Sequence, residues 1–401
     1  MRMPLPTRSK PNEHPLPRGP VLGWSSFERI NAPNISSIEH LAHTVLTTSG
    51  RAAIYHALLQ LQLPPNSTVL VPSYHCPTMV APVLLANLNV AYFGLRPDGL
   101  PNLATIDTAT AAKTRAMLVS HYFGIASTLF EVRTWCDERD IALIEDCAHC
   151  YFGNAGERQV GDWGDYATAS LSKFLPVPEG GLLASAHHPI KNLQLAPQGF
   201  KAQIKGWVDV FELATKYKRL PGLNLAMGSL FALKNALGHQ AQALNPSPTP
   251  ETTALSPNAA TMMRDCDMAR IALTPLAATK TLQSLLPRGR IIVRRQQNFA
   301  TYAEHFAQVN GARPLFSLPS KAVAPYVFPL WVDDADRIYR EVRALALPVF
   351  RWDRIWPGTP QFDGDVGPLW SQHVLQLLCH QDLSNADTTR TAKAILNLLE
   401  A

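Results

Sequence analysis

Cysteine is scarce, with six in 401 residues. That is too few for a disulfide framework and fits free thiols in a reducing compartment. Charged residues make up only 17%, and 36 Lys plus Arg against 31 Asp plus Glu leave a net charge of +5. No basic run with interleaved aromatics occurs, which argues against a nucleic-acid partner. No apolar run approaches the roughly 18 residues of a membrane span; the nearest candidate, 79–95, is broken by Pro82, Asn87 and Asn89. Prolines in the first residues stand where a signal peptide needs its apolar core, so a cytoplasmic location is expected. What the chain has in quantity is apolar residues, at 46%. Over this length they suffice for a large domain and a smaller one.

Residues 1–20 read as a Pro-rich arm on composition. From about 45 to 185 the pattern alternates. A helical period over 51–63 precedes a β-branched run at 68–71. Helical character at 77–87 precedes a strand at 90–94, and the helical stretch 128–140 lies between the apolar runs 116–120 and 141–145. Strand and helix in alternation predict an α/β fold with a mostly parallel, doubly wound sheet. The segment 186–257 changes texture, with helical period punctuated by Pro197, Pro221 and Gly222 and a loop-like end at 245–257. A helix is expected around 262–278. From 290 to 401 the chain reads as a smaller C-terminal α+β domain, which leaves 21–289 as the large domain.

Three segments fall at expected strand ends, where open α/β sheets bind ligands. Ser49-Gly50-Arg51 opens a helix, and its backbone N–H groups could take an anion such as a phosphate. Ile144-Glu145-Asp146-Cys147-Ala148-His149 ends a strand on two carboxylates and then a histidine. A buried Asp there could hold a protonated heterocyclic nitrogen, or it could cap the next turn. Ala169-Ser170-Leu171-Ser172-Lys173 brings a lysine off a strand, ahead of Glu179-Gly180-Gly181. An anion cradle, a carboxylate and a lysine are what pyridoxal phosphate requires of a protein. Cys147 and Cys150 read as buried thiols rather than a redox pair. His187-His188 have no partners at ligand spacing, and no metal is expected. Arg351 follows a strand and could meet a substrate anion or form a surface ion pair.

In order along the chain stand Ser49-Gly50-Arg51, Val71-Pro72-Ser73, His121-Tyr122-Phe123-Gly124, Glu145-Asp146-Cys147-Ala148-His149, Val160-Gly161-Asp162-Trp163-Gly164-Asp165, and Lys173 with Glu179-Gly180-Gly181. This series resembles the DegT/StrS family of pyridoxal-phosphate-dependent aminotransferases, which have PLP fold type I and mostly act on nucleotide-linked keto-sugars. The resemblance implies that Lys173 is the Schiff-base lysine and proton carrier, and that Asp146 pairs with the ring nitrogen. It places His149 near the phenolic oxygen and Ser49, Gly50 and Arg51 at the phosphate. Three positions depart from the family's pattern. Arg51 stands for the usual Thr, so either the phosphate site gains a charge or the side chain points elsewhere. Cys76 stands where an aromatic usually stacks on the ring, leaving His75 or Tyr74 as substitutes. Thr168 stands for a phosphate-binding serine, with Ser170 and Ser172 nearer the lysine. The implied activity moves an amino group from an amino-acid donor, expected to be glutamate, to a keto acceptor, expected to be a nucleotide-linked sugar. A homodimer with shared sites is expected, its 258–264 stretch in reach of a neighbour's phosphate and its N-terminal arm over the partner. The alternatives are a PLP enzyme acting on an amino acid or other small carbonyl compound, and a non-catalytic PLP-binding regulator.

Overall fold

The computed structural model of the chain describes residues 15–224, 228, 258–317 and 323–401. Most of the expected arm and the expected loop over 245–257 lie outside the described residues. The large sheet is built from β1 (His43–Thr47), β2 (Thr68–Pro72), β3 (Asn89–Leu95), β4 (Pro101–Asn102), β5 (Thr114–Ser120) and β6 (Ala142–Asp146). A small hairpin of β7 (Asn154–Ala155) and β8 (Arg158–Gln159) follows, and then β9 (Tyr166–Ser170) and β10 (Gly181–Ser185) complete the sheet. The strand order is β1-β10-β9-β6-β5-β2-β3-β4. The strands from β9 to β3 run parallel, while β1, β10 and β4 pair antiparallel at the margins. Helices α1 (Gly50–Gln60), α2 (Pro77–Leu85), α3 (Thr108–Lys113) and α4 (Phe130–Asp137) lie in the crossovers.

Apolar residues run continuously along the central strands because both faces of the sheet are covered. Leu70, Met117, Val119 and Leu143 point into one core, and their neighbours Val69, Val71, Leu118 and Ile144 into the other. The register aligns Ser120 with Asp146 and Asp146 with Thr168. The parallel strands therefore end together, and their polar terminal residues form one edge.

After β10 come α5 (Phe200–Lys216), α6 (Ala259–Asp265), α7 (Ala277–Leu285) and α8 (Gly289–His305). The helix expected over 262–278 is thus two helices: the chain leaves α6 and turns at Asp267, whose φ is 47°. A second, antiparallel sheet has the order β11-β12-β14-β13, from β11 (Ala312–Pro314), β12 (Val327–Val332), β13 (Val349–Phe350) and β14 (Val374–Leu378). Helices α9 (Ala335–Ala344), α10 (Gly367–His373) and α11 (Asn385–Glu400) accompany it. The expected boundary at 289/290 falls at the start of α8, and one continuous core reaches from Phe123 to Phe299 and Phe328 across it. The described end of the arm does not reach away from its own chain. His380 Nε2 donates to Pro17 O at 3.0 Å and Val21 N donates to Asp382 Oδ2 at 2.9 Å, so residues 15–20 lie on the C-terminal part.

Candidate active site

At the shared strand edge lies a cavity of about 500 Å3, lined among others by Ser49, Gly50, Asp146, His149, Ser170 and Lys173. One end is the start of α1. Ser49 is extended, with φ −167°, and its Oγ accepts from Ala52 N at 3.2 Å, which leaves the N–H groups before Ala52 facing the cavity end. The turn is held down by β10. A Cβ at Gly181 would lie 2.2 Å from Ser49 O, so only glycine lets the two backbones approach. Gly181→Ala should therefore cost about 1–3 kcal/mol through forced backbone movement, read as a lowered thermal midpoint together with weaker anion binding.

Asp146 ends β6, buried, with Oδ1 accepting from Ala148 N at 2.9 Å. Burial raises its pKa, opposed first by the Lys173 ammonium. Lys173 sits in the short turn Leu171–Lys173 after β9. Burial lowers its pKa, opposed first by Asp146. Each group thus moderates the other, so a proton can leave Lys173 at less cost than from a solvated lysine. The turn is fixed from the C-terminal part. Arg295 Nη2 donates to Lys173 O at 2.6 Å, and Gln381 donates to Phe174 O at 2.8 Å.

His149 Nδ1 accepts from Phe123 N at 3.3 Å, which puts the ring proton on Nε2. That Nε2 is buried and has no partner, a donor waiting for an acceptor oxygen. Burial, and then the Lys173 charge, push the His149 pKa well below the usual histidine range, so the ring is neutral. Its ring lies 4.4 Å from that of Tyr326 and 4.7 Å from that of Trp352. Gly124 allows this: its φ is +89°, and a Cβ there would lie 2.3 Å from Tyr326 N. The Lys173 Nζ lies 5.2 Å from the Tyr326 ring centre, and burial pushes the Tyr326 phenol up to about 12.

The second carboxylate of the pair has a structural task. Glu145 accepts from Gly161 N, Trp163 N and Gly164 N at 2.6–3.0 Å and from His121 Nε2 at 2.8 Å. This explains the Gly-x-x-Gly turn after it. His121, Glu145 and Cys147 cluster closely enough for a metal, but those four donors occupy the carboxylate.

The structure brings Cys76, Ser170 and Ser172 into the cavity with Lys173 and His149. It does not bring in His75. That ring donates from Nδ1 to Pro72 O, accepts from Trp356 N, and stacks on Tyr92, so it is a core group whose pKa burial lowers to about 4. Tyr74 is buried among Tyr122, Trp352 and Trp370. Neither expected substitute for a stacking aromatic faces the cavity, because both serve the core beneath it. Arg51 lines the cavity, but its guanidinium turns to Asp267, at 3.1 Å to O and 3.3 Å to Oδ2. Thr168 is buried under the sheet edge. Arg351 borders the cavity and pairs with Asp336. His187 and His188 pair with Asp162 and Asp165, outside the cavity, and burial raises both the Cys147 and Cys150 thiols. Glu179, from the motif Glu179-Gly180-Gly181, lines the cavity too, and so do Tyr326, Trp352 and Arg270, to which no motif assigned a role.

Residues 32–233, just over half of the chain, match the DegT/DnrJ/EryC1/StrS aminotransferase family. An L-glutamine:2-deoxy-scyllo-inosose aminotransferase from Micromonospora echinospora is 29% identical over 41% of this chain and 40% of its own length. A GDP-perosamine synthase from Vibrio cholerae is 27% identical over 46% of this chain and 51% of its own. The chain thus spans about half or less of the curated relatives it matches. Among solved structures, the aminotransferase TlmJ from Streptoalloteichus hindustanus has a TM-score of 0.60 at 16% identity, covering 89% of this chain and 86% of that one. NtdA from Bacillus subtilis, with bound cofactor PMP, has a TM-score of 0.57 at 15% identity, covering 90% and 74%. These likenesses show the type I fold.

Proposed function

Because the chain belongs to the DegT/DnrJ/EryC1/StrS aminotransferase family, we propose that it is a pyridoxal-phosphate-dependent aminotransferase. It takes the amino group of an amino-acid donor, glutamate in the first instance, and delivers it to a keto-sugar, likewise proposed to be nucleotide-linked. The carrying observation is the cavity that holds Lys173, Asp146 and the Ser49-Gly50 turn at one sheet edge. When bound, pyridoxal phosphate supplies a sink for the electron pair left when a proton leaves the donor Cα.

The chain's residues divide the remaining work. Ser49, Gly50 and the hydroxyls of Ser170 and Ser172 would receive the phosphate. Asp146 would hold the proton of the ring nitrogen, and the unpartnered Nε2–H of His149 would meet the phenolic oxygen. Tyr326 and Trp352 form an aromatic wall beside His149. Lys173 would hold the cofactor's aldehyde carbon through Nζ, and its free amine would take the proton from the donor Cα. The names of the curated relatives support a sugar or cyclitol acceptor. A donor and acceptor screen by mass spectrometry tests this reading: amination of a nucleotide-linked keto-sugar is expected, and conversion of amino acids alone would contradict it.

The working unit is proposed to be a homodimer in the cytoplasm. All six cysteines are free thiols, as a reducing compartment maintains. No helix of the described residues is long and apolar enough to cross a membrane. A dimer of this kind should bury more than about 2,000 Å2 and persist at micromolar concentration. Light scattering should give twice the chain mass of 44.1 kDa; a single-chain mass for the loaded, active protein would refute it.

A further inference from the structure

A phosphate monoester carries close to two negative charges, and a helix N-terminus with hydroxyls offers only partial positive charge against them. Among the described residues four cationic side chains line the cavity: Arg51, Lys173, Arg270 and Arg351. Lys173 is beside Asp146. Arg51 spends Nε and Nη2 on Asp267. Arg351 pairs with Asp336 and donates to the carbonyls of Ser371 and Gln372. Arg270 differs: only its Nη2 is engaged, with Glu179 and Gln198. Its Nε and Nη1 have no partner among the described residues, and 41% of the side chain is accessible.

The placement of Arg270 is built rather than incidental. After the left-handed turn at Asp267, residues 267–271 cross the N-terminal end of α1 and are fastened to it at three levels. Arg51 Nε donates to Asp267 O at 3.1 Å, Thr48 Oγ1 to Arg270 O at 2.8 Å, and His56 Nε2 to Ile271 O at 2.8 Å. Farther on, Ala196 and Thr274 extend the anchoring through Ala196 N to Ala272 O and Thr274 N to Ala196 O, both 2.8 Å. Glu179, which orients the guanidinium, is itself fixed by Leu276 N at 2.8 Å and Gln198 Nε2 at 3.0 Å. Glu179 also precedes the Gly180-Gly181 pair that closes on Ser49. The bracket and the cradle are one piece of structure.

The geometry points to Arg270 as the residue that binds the 5′-phosphate of the cofactor, through the donors that Glu179 leaves free. This rests on the reading of the cavity as a pyridoxal phosphate site. The strap that delivers Arg270 lies beyond the residues matched to the family, which end at 233. Arg51, the arginine that the sequence places in the cradle, serves as a fastener of that strap and not as the phosphate's cation.

The test compares ligands with and without the phosphate. Apo protein is titrated with pyridoxal phosphate and with pyridoxal by quenching of tryptophan fluorescence. Arg270→Ala should weaken pyridoxal phosphate by about 10- to 100-fold, as expected for lost charge-assisted hydrogen bonds. Pyridoxal affinity should stay within about twofold, and Arg270→Lys should fall between. Arg270→Gln, which can still bond Glu179, should behave like Arg270→Ala while keeping the wild-type circular dichroism and thermal midpoint. Unchanged pyridoxal phosphate affinity in both variants overturns the proposal, and so does an equal loss for both ligands, which would mark a purely structural role. If the variants keep the cofactor but the loaded protein loses binding of inorganic phosphate, Arg270 serves a substrate phosphate and the proposal is again overturned. Wild-type protein that binds neither pyridoxal compound would instead refute the reading of the cavity.

Discussion

Replacing Lys173 by alanine should lower turnover by more than about 10^3-fold, roughly 4 kcal/mol in the barrier, while leaving the fold in place. Lys173 is the one lysine that lines the cavity among the described residues. Its turn is clamped by Arg295 and Gln381 through backbone carbonyls, which the substitution leaves untouched. Losing the ammonium leaves Asp146 buried without its counter-charge, a cost the carboxylate limits by taking up a proton, so the thermal midpoint should fall only modestly. Two neighbours are poor replacements as proton carrier: His149 is held neutral with its proton on Nε2, and the Tyr326 phenol is pushed up to about 12. Borohydride reduction followed by peptide mapping supplies the second check. The wild-type chain should carry the cofactor on the peptide containing Lys173, and the variant should carry none. Cofactor found on another lysine would overturn the assignment.

Asp146→Asn should cost about 10^2- to 10^3-fold in kcat, or about 3–4 kcal/mol, with little change in stability. The amide keeps the shape and can still accept from Ala148 N, as Asp146 Oδ1 does at 2.9 Å. What it loses is the negative charge that holds a proton on the ring nitrogen. A second signature follows from the coupling between the two groups. Asp146 raises the Lys173 pKa against the lowering effect of burial. Without the carboxylate the lysine pKa should fall further, so the limb of the pH–rate profile that reports Lys173 should move to lower pH. Activity within about tenfold of wild type, about 1.4 kcal/mol, would show that another group protonates the ring.

Much of the sheet is legible in the sequence because its physics is local. A strand covered on both faces must be apolar throughout, and β2, β5 and β6 announce themselves that way. The polar residues that end such strands contrast with the apolar runs before them, and that contrast marks Asp146 and Lys173 in the sequence alone. The antiparallel margin of β1 and β10 leaves no comparable trace, since pairing direction has no local signature. The break at Asp267 is equally silent: no Gly or Pro interrupts 262–273, so helical period runs on through a left-handed turn. The residues after Pro72 show the other limit. Sequence puts Cys76 at the position of the stacking aromatic and offers His75 or Tyr74 in its place, and only the packing of His75 under Trp356 N and of Tyr74 among Tyr122 and Trp370 shows that neither faces the cavity. Tyr326, Trp352 and Arg270 reach the site from more than ninety residues away, by tertiary contacts that no motif spacing encodes.

The visible absorption spectrum of the purified, pyridoxal-phosphate-loaded protein tests the central claim most directly. The wild-type chain should show the visible band of the lysine-linked cofactor, and Lys173→Ala at equal cofactor should show the spectrum of the free aldehyde instead. Addition of glutamate without acceptor should bleach that band with release of one equivalent of 2-oxoglutarate, and adding 2-oxoglutarate back should restore it. A band that persists unchanged through a screen of amino donors, glutamine included, would contradict the account and identify a protein that holds its cofactor without using it.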